Sequence, residues 1–208
     1  FADTVKNYQE KGIFTGTPIR KSLFNGNANK IRNEYNITNT LPTILFFGGS
    51  IGSVAINRAV YSSITELSKK FNVFHIVGKN NINNNITANN YHQLEFVSNI
   101  EDYFSIADIV VSRAGANSIF ELCALNKPML LIPLPLAESR GDQIQNANYL
   151  KNKNLCMVLK QENLNKTTLL NSIDTLFKNK NIYINNLKKE PNFNGTDKII
   201  LEIKKHSK

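Results

Sequence analysis

The sequence lacks the features that mark several large classes of protein. It has only two cysteines, Cys123 and Cys156, and they lie in apolar stretches without the spacing of metal ligands. This predicts buried free thiols in a reducing compartment. No apolar run is long enough for a transmembrane helix, and no secretory signal pattern is visible. The sequence therefore indicates neither a membrane-spanning protein nor a disulfide-stabilised one.

Acidic residues are in the minority. The chain has 25 Lys and Arg against 16 Asp and Glu, a formal net charge of +9. Nucleic acid, phosphorylated small molecules and an anionic membrane surface are the partners that such an excess favours. An aromatic-rich basic motif of the RNA-binding type is missing, so we expect no nucleic-acid partner. The asparagine-rich stretch 79–90 is typical of a polar surface loop.

The hydrophobic pattern predicts one α/β domain. With 208 residues, 41% of them hydrophobic, the chain can bury a substantial core. Short apolar runs alternate with stretches of helical periodicity, which predicts a parallel sheet covered on both faces. Right-handed crossovers make this a Rossmann-like, doubly wound domain of about six strands. The predicted strands are 43–47, 72–78, 94–98, 108–112, 128–133 and 155–159.

Ligands of doubly wound domains bind beyond the carboxyl ends of the strands. The first such end is "FFGGSIGS", residues 46–53. Gly49 and its neighbour allow a tight turn and a close approach of backbone to ligand, while Ser50 adds a hydroxyl donor. The pattern is neither G-x-G-x-x-G nor a P-loop. It predicts either a phosphate site or a plain strand–helix turn with a serine N-cap.

The second strand end is "SRAGANSIFEL", residues 112–122, and it contains a carboxylate, Glu121. Ser118 and Glu121 match a capping box, in which Glu121 would bind its own backbone. Alternatively, Glu121 accepts hydrogen bonds from the two hydroxyls of a ribose, as acidic residues do in dinucleotide folds. Asn117 or Ser118 would then contact phosphates. One side chain cannot easily do both.

Two further strand ends carry polar groups. In "PLPLAESRGDQIQNANYL", residues 133–150, Asp142 and Gln143 offer partners for sugar hydroxyls, although Asp142 also suits an N-cap. In "FVSNIEDYF", residues 96–104, backbone groups near Ile100 either recognise the edge of a base or belong to an ordinary loop. Together the four ends provide sites for a base, a ribose, a pyrophosphate and a sugar, which are the parts of a nucleotide sugar.

The motifs "TGTPIR", "FFGGSIGS", "SRAGANSIFEL" and "ESRGDQIQNA" occur in an order that resembles a known family. They are similar to the carboxyl-terminal half of the MurG family, peptidoglycan N-acetylglucosaminyltransferases of the GT-B class. The resemblance runs from about Gly12 to Lys205. It implies transfer of GlcNAc from UDP-GlcNAc, with inversion, to muramyl-pentapeptide on a diphospho-undecaprenol carrier. A cytoplasmic location, peripheral on the inner face of the cell membrane, follows from that acceptor.

The resemblance also implies roles for residues. Glu121 would hold the ribose hydroxyls and the Ile100 backbone would meet uracil. The expected diphosphate and sugar contacts are Arg20, Gly49, Ser50, Asn117, Ser118, Asp142 and Gln143. Thr17 stands where the family has Asn, so no role is transferred to it. The sequence has no Asp-x-Asp motif, and we expect no metal ion and no cofactor.

The opening residues have no initial Met and no strand–helix unit, so we interpret 1–20 as a linker from a missing amino-terminal domain and 21–208 as the donor-binding domain. The family's acceptor site and general base belong to that missing domain. No catalytic residue is therefore expected in this fragment, which should bind donor without turnover. The alternatives are another GT-B enzyme, such as a UDP-GlcNAc 2-epimerase, and a non-catalytic basic Rossmann-like binding module.

Overall fold

The fold is centred on a six-stranded, all-parallel sheet in the order β3-β2-β1-β4-β5-β6. The computed structural model describes residues 12–13, 15–49, 51–190 and 193–207. The strands are β1 Thr43–Phe47, β2 Asn72–Ile76, β3 Tyr91–Leu94, β4 Ile109–Ser112, β5 Met129–Leu131 and β6 Met157–Val158. This architecture confirms the expected Rossmann-like α/β class.

Helices connect the strands and cover both faces of the sheet. They are α1 Ala28–Glu34, α2 Val54–Lys70, α3 Ile100–Ile106, α4 Ala116–Ala124, α5 Asp142–Asn152, α6 Lys166–Lys178, α7 Lys180–Lys189 and α8 Thr196–His206. Short 3₁₀ turns occupy Lys21–Asn25 and Gln161–Asn163. In the ranges described, no helix is both long and apolar enough to cross a bilayer.

Alternate residues of each strand enter two separate cores, because successive strand side chains point to opposite faces. On β1, Leu45 and Phe47 pack in one core with α1, α3, α4 and α5. Ile44 and Phe46 pack in the other with α2 and α6. Burial on both faces explains why these strands are continuous apolar runs and not alternating patterns.

The chain order of the strands reverses between β1 and β4. From β1 the chain winds outward through β2 and β3, and it then returns to β4 beside β1 and winds the other way through β5 and β6. Loops after β1 and β4 consequently diverge to opposite faces and leave a crevice between them, which is where open α/β sheets bind ligands. Phe47 and Ser112 are paired at the carboxyl ends of these two strands.

The third strand differs from its prediction. Residues 94–98 were expected to form it, but the strand is Tyr91–Leu94, paired with Val73–Ile76 of β2. The apolar residues Phe96 and Val97 follow the strand, and Phe96 is 70% exposed. The last strand is also shorter than predicted, at two residues, 157–158.

Candidate functional site

The loop after β1 turns sharply towards α2. Gly49 and Gly52 have φ angles of 94° and 81°, which favour glycine. A Cβ on Gly52 would overlap the carbonyl oxygen of Val77, whereas one on Gly49 would meet nothing within 4 Å. Gly52 is thus needed for close backbone packing, while Gly49 borders open space. Ser50, the predicted hydroxyl donor, lies outside the described residues.

Helix α2 begins at this turn with its first amides free. Ser53 is the N-cap, and its Oγ accepts a hydrogen bond of 3.3 Å from the Ile56 amide. This agrees with the serine N-cap interpretation for Ser53. The amides of Val54 and Ala55 have no acceptor within the helix, so they and the helix dipole favour an anion.

A cavity of about 570 Å³ lies against this helix end. We call it the glycine-turn cavity. Its walls come from the loop after β1, the start of α2, and the ends of β4, β5 and β6. It is lined by Gly48, Gly49, Ile51, Gly52, Ser53, Val54, Ala55, Arg58, Arg113, Leu134, Glu138, Gln143 and Gln161.

Helix α4 starts three residues earlier than the capping box requires. Its N-cap is Gly115, without a side-chain cap, and the first helical bond runs from the Ile119 amide to the Gly115 carbonyl. Ser118 therefore lies within the first turn and Glu121 in the second. The capping-box interpretation of Ser118 and Glu121 is wrong, because the helix end that they would cap is not there.

Glu121 instead lines a second cavity, of about 320 Å³, which we call the Glu121 cavity. It brings together five of the predicted site residues, from four separate segments of the chain: Arg20, Gly49, Ile100, Ser118 and Glu121. Its other lining residues are Phe47, Ile76, Phe96, Val97 and Ser98. Since Gly49 lines both cavities, the two adjoin at the glycine turn.

The Glu121 carboxylate is poorly compensated within the described part of the chain. Its side chain is 22% exposed, and its ion-pair partner is Arg20, with 3.7 Å between Nη2 and Oε1. Burial raises the pKa of Glu121, and the nearby Arg20 guanidinium offsets part of that rise. No hydrogen bond to this carboxylate comes from the residues described. It is an acceptor with unused capacity that faces a cavity.

Ile100 is the first residue of α3, so its amide has no acceptor within the helix. This amide belongs to a residue that lines the Glu121 cavity. The ordinary-loop alternative for 96–104 holds only up to Asn99, because the helix begins at Ile100. Asn117 is exposed and lines neither cavity, which separates it from the other predicted residues.

Helix α5 ties two strand-end loops together. Gln143 Oε1 accepts hydrogen bonds of 3.2 Å from the amides of Ala114 and Leu134. Asn146 Nδ2 donates to the Ala114 carbonyl at 3.0 Å. In this clasp, Gln143 and Asn146 of "GDQIQNA" both bind the backbone of Ala114 in "SRAGA", so the two motifs are in direct contact. Gln143 lines the glycine-turn cavity.

Asp142 does not cap α5. The N-cap is Gly141, at a φ of 85°, and no side-chain cap is made. Asp142 is the first helical residue, exposed, and outside both cavity linings. The N-cap alternative for Asp142 is therefore wrong, and its predicted sugar contact remains a prediction.

Sequence reasoning missed several residues of these cavities. Arg113 is buried, and its Nη1 donates to the carbonyls of Ile132 and Pro133 at 3.1 and 3.4 Å. Burial lowers the pKa of Arg113, which Glu138 partly offsets. Arg113 was within a quoted motif, but nothing local distinguishes a buried arginine that binds strand ends. Phe96 was expected to belong to the strand 94–98, and Gln161 belongs to no quoted motif.

The three histidines lie away from both cavities. His75 is fully buried, bonded through Nδ1 to the Tyr91 hydroxyl at 2.9 Å and through Nε2 to Asn57 Oδ1 at 3.0 Å. Burial lowers its pKa to about 3. His75 is thus packed in the core and does not face either cavity. His92 stacks against Phe74, and His206 ends α8.

Comparison with known proteins identifies the family. Residues 43–202 match the glycosyltransferase family 28 C-terminal domain. The chain belongs to this family. The match covers the sheet and both cavities except for Arg20, which precedes it. The motifs indicated a resemblance to the MurG family, and this match confirms it as membership of glycosyltransferase family 28.

Two relatives of similar sequence come from clostridia. The chain is 43% identical, over 209 residues, to the UDP-N-acetylglucosamine–N-acetylmuramyl-(pentapeptide) pyrophosphoryl-undecaprenol N-acetylglucosamine transferase of Clostridium tetani. It is 41% identical, over 211 residues, to the transferase of the same name in Clostridium botulinum strain Hall. These alignments cover 99% and 100% of this chain, but it spans only 58% and 60% of the relatives' lengths.

Two solved structures have a similar fold. MurG of Acinetobacter baumannii matches with a TM-score of 0.68 at 22% identity, over 83% of this chain and 52% of that one. Os79 of O. sativa, in complex with UDP, matches with a TM-score of 0.73 at 13% identity, over 99% and 52%. At these identities the similarity shows the fold. In both cases this chain corresponds to about half of the longer chain.

Proposed function

We propose that this chain is the donor-binding half of an inverting N-acetylglucosaminyltransferase and that it binds UDP-GlcNAc. The observation that carries the proposal is the junction of two cavities at Gly49, one lined by an undercompensated carboxylate and the other by a free helix N-terminus. A nucleotide sugar needs both environments side by side. The names of the clostridial relatives support the same donor and an acceptor on pyrophosphoryl-undecaprenol.

The nucleoside belongs in the Glu121 cavity. Vicinal ribose hydroxyls donate to the Glu121 carboxylate, which supplies acceptors that Arg20 leaves free. The free amide of Ile100 faces the base edge, and the exposed ring of Phe96 offers an aromatic face to it. The apolar side chains of Phe47 and Ile76 complete a pocket suited to a flat, partly apolar ring.

The diphosphate crosses the junction at Gly49. Gly49 has no side chain to obstruct it, and the amides at the start of α2 lie just beyond. Arg20 and Ser118 line the near side, while Arg58 lines the far side. We assign Ser50 to the same group from its place in the turn, although it is outside the described residues. Asn117 and Asp142, which are exposed at the starts of α4 and α5, would contact the donor only after a movement of these helix ends.

The proposed reaction is an in-line displacement at the anomeric carbon. An acceptor hydroxyl attacks as the bond to UDP breaks, and the leaving diphosphate gains negative charge. Helix α2, Arg20 and Arg58 supply positive charge where that negative charge develops. We propose that these groups suffice without a metal ion. Removal of one well-placed donor typically lowers the rate on the order of 10²-fold.

We propose that transfer requires the part of the protein that this chain does not span. None of the three histidines lines either cavity, and His75 stays neutral in its core position. The acceptor site and the general base are accordingly assigned to the remainder, with 1–20 as linker and 21–208 as donor domain. Because the relatives' acceptor is attached to a polyprenyl carrier, the whole protein would meet it on the inner face of the cell membrane, where a net charge of +9 favours anionic lipid.

Calorimetric titration tests the donor site. We expect UDP and UDP-GlcNAc to bind with dissociation constants of roughly micromolar to millimolar, unchanged by a metal chelator. ADP should bind more weakly, and a short DNA duplex should show only weak, salt-sensitive binding. Absence of any UDP binding at millimolar ligand would refute the proposal, and tight duplex binding would favour a non-catalytic basic module instead.

A further inference from the structure

Two polar side chains meet at the wall of the glycine-turn cavity that is formed by the ends of β5 and β6. Glu138 lies in the loop between β5 and α5, and Gln161 begins the 3₁₀ turn after β6. Gln161 Nε2 donates to Glu138 Oε1 at 2.8 Å. Both residues line the cavity, and neither was given a role by the sequence motifs, although Glu138 is the first residue of "ESRGDQIQNA".

The oxygen of Gln161 is a buried acceptor without a donor. Its Oε1 is shielded from solvent and receives no hydrogen bond from any described residue. The bond from Nε2 to a carboxylate fixes which end of the amide is oxygen, because a carboxylate can only accept. A buried unsatisfied acceptor destabilises a protein, so a rotation of the Gln161 side chain that brings this oxygen to a donor on a ligand gains binding free energy.

The two walls of this cavity suit opposite charges. The wall from β1 carries the free amides of α2 and Arg58, which attract an anion. The wall from β5 and β6 carries the Glu138 carboxylate, which repels an anion and attracts hydroxyl donors. These walls stand on opposite sides of β4 in the sheet. A molecule that spans the cavity therefore presents phosphate to one wall and neutral donors to the other.

Gln143 cannot supply the acceptors on that second wall. Its Oε1 already accepts from the amides of Ala114 and Leu134, so only its Nε2 remains for a ligand. A sugar hydroxyl both donates and accepts, and an acetamido N–H only donates. Of the glutamine and glutamate side chains that line the cavity, Glu138 and Gln161 are left to accept these hydrogen bonds.

We propose that Glu138 and Gln161 are the hydrogen-bond acceptors that bind the sugar of the nucleotide-sugar substrate and contribute to the choice of that sugar. The pair accepts hydrogen bonds from ring hydroxyls and the acetamido N–H, while Gln143 donates to a neighbouring hydroxyl. This inference rests on the proposed donor site and assigns part of its sugar end to two residues to which the motifs gave no role.

The test compares UDP-GlcNAc with UDP on the 208-residue chain and its variants by calorimetry. Gln161→Ala removes the buried acceptor. Glu138→Gln keeps the contact with Gln161 but replaces one acceptor oxygen with a donor. Glu162→Gln, an exposed neighbour in the same turn outside both cavities, is the matched control. Circular dichroism and the thermal midpoint establish that each variant is folded.

We expect Gln161→Ala to weaken UDP-GlcNAc binding about five-fold and Glu138→Gln about ten-fold, the range for single neutral and charged hydrogen bonds. UDP binding should change less than about two-fold in both, because UDP has no sugar to contact the pair. In saturation-transfer NMR, the sugar protons should lose signal in the variants while the uracil protons keep it. The control should match the parent chain.

Equal losses for UDP and UDP-GlcNAc would overturn the inference, since they would mean that the pair only holds the loop in place. No loss for either ligand would overturn it as well. Both outcomes leave the donor site intact, because the parent chain still binds UDP. If the parent chain bound no UDP, the donor site itself would be refuted, and the sugar assignment with it.

Discussion

Replacement of Glu121 by alanine separates ligand binding from fold stability. On the proposed assignment, the variant loses the acceptor of the ribose hydroxyls. Hydrogen bonds to a charged group contribute about 1.5–3 kcal/mol, so UDP should bind about 10- to 150-fold more weakly. Glu121→Gln keeps the shape and one acceptor oxygen, and should lose less.

The structure predicts little cost in stability for the same change. The ion pair with Arg20 spans 3.7 Å and the arginine side chain is 60% exposed, which places its contribution at about 0–1 kcal/mol. Burial raises the pKa of Glu121, so folding favours its protonated form. The sign follows: this group supports the fold more at low pH and less as pH rises through its folded pKa. Above that pKa, Glu121→Gln should be neutral or slightly stabilising.

Calorimetry for UDP and urea unfolding at several pH values measure both effects on one set of samples. Glu162→Ala, an exposed carboxylate outside the cavities, controls for loss of charge. UDP affinity should also fall as pH decreases through the raised pKa of Glu121, because the protonated acid loses acceptor capacity. A loss of about 0.5–2 kcal/mol in stability with unchanged UDP binding would refute the reasoning and restore a capping role.

Three other predictions concern the frame of the site. His75 should stay neutral, with its single ring proton on Nε2, down to a pH near its folded pKa of about 3, and nitrogen-15 NMR would detect this. The unfolded chain binds a second proton at this ring near pH 6.5, so the free energy of unfolding should fall as the pH drops below about 6.5. Gly52→Ala should destabilise the chain by more than about 1 kcal/mol in thermal unfolding, since its Cβ would overlap the Val77 carbonyl at a positive φ; a neutral result would contradict the tight turn. Gln143→Leu should cost about 1–3 kcal/mol in urea unfolding, because two amides lose their acceptor; an unchanged midpoint would show that the clasp is not needed.

Local sequence patterns were sufficient to predict most strands of the sheet, but not the edge strand β3. The strands β1 and β4 are continuous apolar runs because both faces are buried, and such runs are visible in the sequence. At the edge, Tyr91–Leu94 pairs with β2 on one side only, and its middle residues are His92 and Gln93. The apolar Phe96 and Val97 looked more like a strand, but they line a cavity.

The site was predictable where a motif specifies it and not where distant segments meet. Glu121 stood out as a lone acid after a glycine turn, yet its two roles could be separated only once α4 was seen to start at Ala116. The start of that helix is set by the Gly115 carbonyl and by packing, not by a capping side chain. The contact between Glu138 and Gln161 joins loops after two different strands, and no local pattern encodes it.

The clasp made by Gln143 and Asn146 bears on how the two cavities can change together. Both loops that it joins are hydrogen-bonded to one helix, so neither has to become ordered when a ligand binds. The conformational entropy of these loops is therefore lost during folding and does not weaken binding. Any tilt of α5 would carry the wall beside Leu134 and the backbone leading into α4 in the same direction. If the remainder of the protein pressed on this helix, the shapes of the glycine-turn cavity and the Glu121 cavity would therefore change together.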